Sequence, residues 1–257
     1  MFFEARIVAI GQQSFALRQK WGDWAEDTVL GYFKSHSESG ILALPYGERY
    51  SGPRRKVETD AVFRPDLLLV KSDSVASLLG RGIDLNTLSL RDLSDKDERL
   101  GTIIQHALVA MEIKISFRYY AKGHVNFIID EVRKKRYETW LSRVREIGDV
   151  IAWFTLDKAF MTSMDRVLSE GTEEERTYES RGMTARKKMT WNFPVEKAER
   201  FADVGGVELN RTIRASLDRS TSGSIAWILD YEPGVLENVN LPGLLKLAEQ
   251  VRRSSAK

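Results

Sequence analysis

A glutamate and a lysine stand two residues apart in "LVAMEIKISF", residues 108–117, inside an otherwise apolar run. Side chains alternate along an extended strand, so Glu112, Lys114 and Ser116 share one face while Met111, Ile113, Ile115 and Phe117 share the other. A carboxylate and an amine on one strand face are either a structural charge pair or part of a polar site. Two further carboxylates favour a site. Asp66 sits at the mouth of the apolar strand "RPDLLLV", in the only Pro-Asp of the chain, and Glu112-Ile113-Lys114 is the only acidic-x-Lys. Glu26 falls on the helical stripe of Phe15, Gly22, Val29, Leu30 and Phe33, where a buried charge needs a compensating partner.

Composition narrows the chemistry. There is no cysteine, and His36, His106 and His124 are scattered without ligand spacing. Disulfides, thiolate zinc sites and cysteine nucleophiles are excluded together. Any metal held by these side chains must be hard and oxygen-ligated, such as magnesium.

The elements that must position these groups are partly legible. "SFALRQKWGDWAEDTVLGYFKS" has the apolar spacing of an amphipathic helix and ends near "HSESG". "ALPYGERYSGPRRKVETD" is rich in turn residues. "AVFRPDLLLVKSD" is the pattern of a buried strand entered from a loop. Residues 72–101 are polar and mixed, which predicts an insertion with one short helix. "DEVRKKRYETWLSRVREIG" has helical spacing, with Gly148 as its stop, and "DVIAWFTLD" is a third strand. Later, "GSIAWILDYEPG" reads as strand and turn and "LPGLLKLAEQVRR" as a terminal helix. The order helix, strand, strand, helix, strand predicts an α/β fold with helices packed on a central sheet and extra C-terminal elements. The expected division is a core over residues 1–160 and C-terminal elements over 161–257, within one domain.

The chain has 257 residues, 42% hydrophobic and 30% charged, which is ordinary for a globular protein and argues against wholesale disorder. No apolar run approaches the ~20 residues of a bilayer helix. "MFFEARIVAI" is broken by Glu4 and Arg6 and lacks a small-residue cleavage site, so a secretory signal is not expected. The expected location is the cytoplasm, with no membrane partner. A net charge of +2 gives little support for a polyanionic partner, so the distribution of charge matters more than its total.

Pro65-Asp66, Glu112-x-Lys114 and an upstream helix with Glu26 in "GDWAE" together resemble the PD-(D/E)XK nucleases, and among them the type II restriction endonucleases. The resemblance covers residues 12–157 in element order as well as motif. It implies a prokaryotic protein with a restriction-endonuclease-like core, a central mixed β-sheet flanked by helices, in which Glu26, Asp66 and Glu112 cluster at one end of the sheet. Forty-five residues separate Asp66 from Glu112, longer than the common pattern, so residues 72–101 must loop out. Asp60 is a rival for the aspartate role, but it lacks the preceding proline and the apolar strand behind.

The resemblance further implies hydrolysis of DNA phosphodiester bonds with Mg2+, or Mn2+ in its place. Asp66, Glu112 and the Ile113 backbone carbonyl would be ligands, Lys114 would stand beside the attacked phosphate, and Glu26 would serve a second metal or a metal-bound water. Double-stranded DNA would be held by phosphate contacts from basic residues. Four basic clusters qualify, at 53–56, 117–122, 132–136 and 184–188. Ser116, Arg118 and Lys122 are the best placed, Arg181, Arg186 and Lys187 could enter a groove, and "VRKKR" at 132–136 reads as the solvated face of a helix. A homodimer and a separate cognate DNA methyltransferase complete the expectation. A junction resolvase, a repair or transposon nuclease, and a non-catalytic DNA-binding protein on the same scaffold are the rival readings.

Overall fold

The computed structural model describes residues 15–47, 64–116, 119–120, 126–143, 147–178, 186–205, 213–219 and 225–255. Helix α1 (Phe15–Ser35) forms where Trp21, Trp24, Ala25, Val29 and Phe33 recur down one stripe, and all five are buried. Full burial of a side chain such as Val29 or Phe33 stabilises by roughly 1.5–3 kcal/mol each, which holds the helix on the sheet. Trp24 Nε1 also donates to the Glu232 carbonyl at 3.0 Å, and Thr28 Oγ1 accepts from the Gly234 amide at 2.9 Å. The helix is thereby tied to a segment more than two hundred residues away.

The central sheet has seven strands: β1 (Ile41–Pro45), β2 (Leu67–Lys71), β3 (Ala107–Ile115), β5 (Gly148–Phe154), β6 (Lys158–Thr162), β9 (Glu199–Gly205) and β12 (Val235–Glu237), adjacent in that order. Only β3 and β5 pair in parallel, with Glu112 opposite Ile151 and Lys114 opposite Trp153. The other pairings are antiparallel. A parallel pair needs a crossover, and here it holds β4 (Asn126–Asp130) and helix α4 (Glu131–Arg143). β4 joins β8 (Arg186–Pro194) and β7 (Thr172–Tyr178) in a small antiparallel sheet, and β10 (Ile213–Arg219) pairs with β11 (Ile225–Tyr231). The fold is therefore mixed α/β, as the element order predicts. The boundary near residue 160 falls inside β6, and β9 and β12 lie in the same sheet as β1 to β3.

Strand alternation separates two cores. Val109, Met111 and Ile113 face the side covered by α1 and by α6 (Leu241–Ser255), where Leu244, Leu247 and Ala248 are buried. Leu68, Val70 and Ala110 face the other side and meet Leu78 of α2 (Asp73–Gly80), Leu100 and Ile103 of α3 (Glu98–His106), and Trp140 of α4. A third cluster, with Phe127, Ile129 and Phe193 against Ile151 and Phe160, docks the small sheet beside α4. Among the described residues no helix is long and apolar enough to cross a membrane.

Two sequence expectations need correction. The 72–101 stretch holds α2, a 3-10 turn at Leu90–Asp92 and the start of α3, rather than one short helix. Gly148 is the first residue of β5, not the stop of α4. A Cβ there would lie 2.5 Å from the Ala248 carbonyl oxygen and 2.6 Å from Ala248 Cα, so its smallness serves the close approach of α6.

Candidate functional site

Proline and aspartate precede β2, where the chain enters the sheet beside β3. Asp66 Oδ2 accepts a hydrogen bond of 2.6 Å from the Ile113 amide. The Asp66 carbonyl accepts from the amides of Tyr46 and Gly47 at 2.8 and 3.0 Å. The residue is thus fixed at both ends, between β1 and β3. Burial pushes the Asp66 carboxyl up, against the opposing pull of the Lys114 charge, the Ile113 amide and the charges of Arg91 and Arg133.

Glu112 and Lys114 occupy the face opposite Met111 and Ile113, as alternation predicts. Glu112 is buried at 4% exposure. Its Oε1 is in contact with Lys114 Nζ, while its Oε2 is buried with no hydrogen-bond donor among the described residues. Burial draws the Lys114 amine down to about 7, and the Arg133 charge pushes the same way; Asp66 and Asp130 oppose. Glu112 also lines a small cavity of about 10 Å3 with Pro65, Tyr137, Trp140 and Asp149. Asp149 Oδ2 accepts from the Met164 amide at 2.7 Å, and burial raises its carboxyl to about 6.

Glu26, buried at 5% exposure, is ion-paired with Arg91. Arg91 Nε donates to the Gly47 carbonyl at 2.7 Å, next to Asp66. Arg64, two residues before Asp66, donates to the carbonyls of Leu90 and Leu93 at 3.1 and 2.7 Å and to Asp95. The insertion is therefore stapled beside the site by two arginines. Among the described residues no three acidic or histidine side chains gather into a group that could hold a metal. What the fold does bring together is Asp66 against the amide of Ile113, between Glu112 and Lys114, with Glu26 turned to Arg91.

The DNA-contact candidates are divided. Ser116 is half-buried, and its amide extends the β3–β5 pairing by donating to the Phe154 carbonyl at 2.7 Å. Lys187 is exposed on β8 and bonded to Glu175 across the small sheet at 2.8 Å. Arg118, Lys122, Arg181 and the Arg186 side chain lie outside the described residues. The reading of "VRKKR" as a solvated face holds for Val132, Lys135 and Arg136, but Arg133 and Lys134 are half-buried, with Lys134 Nζ 4.3 Å from the centre of the Trp191 ring.

The chain matches no protein-family model, and no curated protein or solved structure is significantly similar to it. Function therefore has to be argued from these side chains. Sequence reasoning passed over Arg91, Asp130 and Asp149, and read Arg133 within the solvated helix face of "VRKKR". For Arg133 a signal was present, because it shares the i, i+4, i+7 stripe of Tyr137 and Trp140. Arg91 carries no such local mark.

Proposed function

We propose that this protein is a Mg2+-dependent, sequence-specific endonuclease of double-stranded DNA, of the type II restriction kind, on a restriction-endonuclease-like core. The observation that carries the reading is the 2.6 Å hydrogen bond from the Ile113 amide to Asp66, which seats the Pro-Asp carboxylate against the strand of Glu112 and Lys114. Those are the three residues of the PD-(D/E)XK pattern, separated by 45 positions in sequence and joined by strand pairing.

The donor set suits a hard cation. Glu112 Oε2 is a buried carboxylate oxygen without a donor among the described residues, and the neighbouring Asp66 offers only oxygen. Asp66, Glu112 and the Ile113 carbonyl would hold Mg2+, which supplies a polarised phosphoryl oxygen and an activated water when bound. Lys114 orients the attacking water and balances charge growing on the phosphate. Arg91 pairs with Glu26 and bonds Gly47, whose amide donates to the Asp66 carbonyl, and the Ile113 amide fixes the Asp66 rotamer. Asp66 is thereby pre-organised rather than recruited at the moment of reaction.

Incubation of the purified protein with phage DNA and Mg2+ tests the reading. Discrete bands are expected, lost in Glu112→Ala and Lys114→Ala while DNA binding persists. A smear supports a nonspecific nuclease, cutting of branched DNA alone supports a resolvase, and binding without cutting supports a non-catalytic scaffold. A homodimer on a symmetric site and a neighbouring DNA-methyltransferase gene belong to the same proposal, read out by sedimentation and by the adjacent sequence.

A further inference from the structure

Helix α4 runs antiparallel to β3, because β5 starts opposite Val109 and residues 144–147 alone join it to the end of α4. Along its inward stripe, Trp140 packs near Ala110 and Tyr137 lies beside Glu112 around the same small cavity. One helical turn from Tyr137 to Arg133 covers about 6 Å, and the strand step from Glu112 to Lys114 covers about 6.6 Å. The first turn of α4 therefore stands over Lys114. Arg133 is half-buried there, close enough for its charge to act on both Lys114 and Asp66.

Lys114 is paired with Glu112, and Asp66 lies within reach of the charges of both Lys114 and Arg133. On the same turn, Asp130 Oδ1 accepts from the Arg133 amide at 2.9 Å, and Asp130 Oδ2 lies 3.6 Å from Lys188 Nζ. Among the described residues no carboxylate is ion-paired with the Arg133 guanidinium. A planar guanidinium with no carboxylate partner among the described residues suits a phosphate, which it can grip through two parallel bonds.

We infer that Arg133 is a substrate-binding residue that grips a backbone phosphate at the Lys114 end of β3, with Lys188 flanking it. The identity of the ligand as a nucleic-acid phosphodiester rests on the nuclease reading. The grip precedes chemistry, so it is read from binding alone.

The test is fluorescence anisotropy of a labelled random-sequence DNA duplex in EDTA, where no strand is cut, over a series of salt concentrations. Arg133→Gln is expected to weaken binding about tenfold and to lower the salt slope by about one unit. Arg133→Lys keeps the slope and loses part of the affinity, and it guards against a Gln variant that fails to fold. Lys135→Gln, on the exposed side of the same helix, changes neither. Wild-type affinity and slope in a folded Arg133→Gln overturn the inference, whether or not the wild type cuts DNA. Absence of any DNA binding by the wild type overturns it as well. Arg133-dependent binding without cutting in Mg2+ upholds the phosphate site and removes the nuclease reading instead.

Discussion

Asp66 and Ile113 are 47 residues apart, and the aspartate carboxylate accepts the isoleucine amide at 2.6 Å. This bond, rather than the motif spelling, brings the Pro-Asp turn to the charged strand. Asp66→Asn keeps an oxygen for that amide and removes the negative charge. Its urea midpoint is expected to match or exceed that of wild type, since burial disfavours the charge. DNA cutting in Mg2+ should fall by about 10²–10³-fold, the scale for losing one charge-stabilising group. Unchanged cutting would sink the assignment of Asp66 to the site.

Half-buried Lys114 contacts the buried Glu112, and removing the lysine strands the glutamate's charge. Lys114→Met is expected to destabilise the fold by about 3 kcal/mol in urea unfolding. Adding Glu112→Gln should recover most of that loss while cutting stays abolished. A double variant as unstable as the sum of the two single ones would mean that the pair is not coupled.

Asp149 carries a pH signature of its own. Burial raises its carboxyl to about 6 in the folded chain, above the ordinary value of about 3.9. The folded state binds this proton more tightly than the unfolded state does. Its contribution to stability is fully present below about pH 4 and is lost as the pH rises through 6. Asp149→Asn, which keeps an acceptor for the Met164 amide, should equal wild type near pH 4 and exceed it by up to about 3 kcal/mol at pH 8. Parallel stability curves for the two proteins across that range would contradict the assignment.

Gly148 meets the backbone of Ala248 at distances no Cβ tolerates. Gly148→Ala is expected to lower stability by about 1–3 kcal/mol, the cost of overpacking a close contact. Gly101, with open space around its Cβ position, serves as the control, since Gly101→Ala in α3 should be neutral or stabilising. Equal urea midpoints for Gly148→Ala and wild type would show that α6 can retreat without cost.

The sequence by itself determined what local geometry governs. The period of two places Glu112 and Lys114 on the face opposite Met111 and Ile113, and the helical period of α1 buries Trp24, Val29 and Phe33. Both follow from backbone geometry that repeats within a few residues. The turn chemistry of Pro65 likewise marks the entry to β2. Tertiary structure alone decided which distant groups meet. Arg91 reaches Glu26 across 65 residues, α4 brings the charge of Arg133 within reach of Lys114, and Ala248 presses on Gly148. It also decided that β9 and β12 complete the sheet begun by β1 to β3. Such meetings depend on strand order and helix register, which are set by the burial of whole faces, and no window of neighbouring residues encodes them.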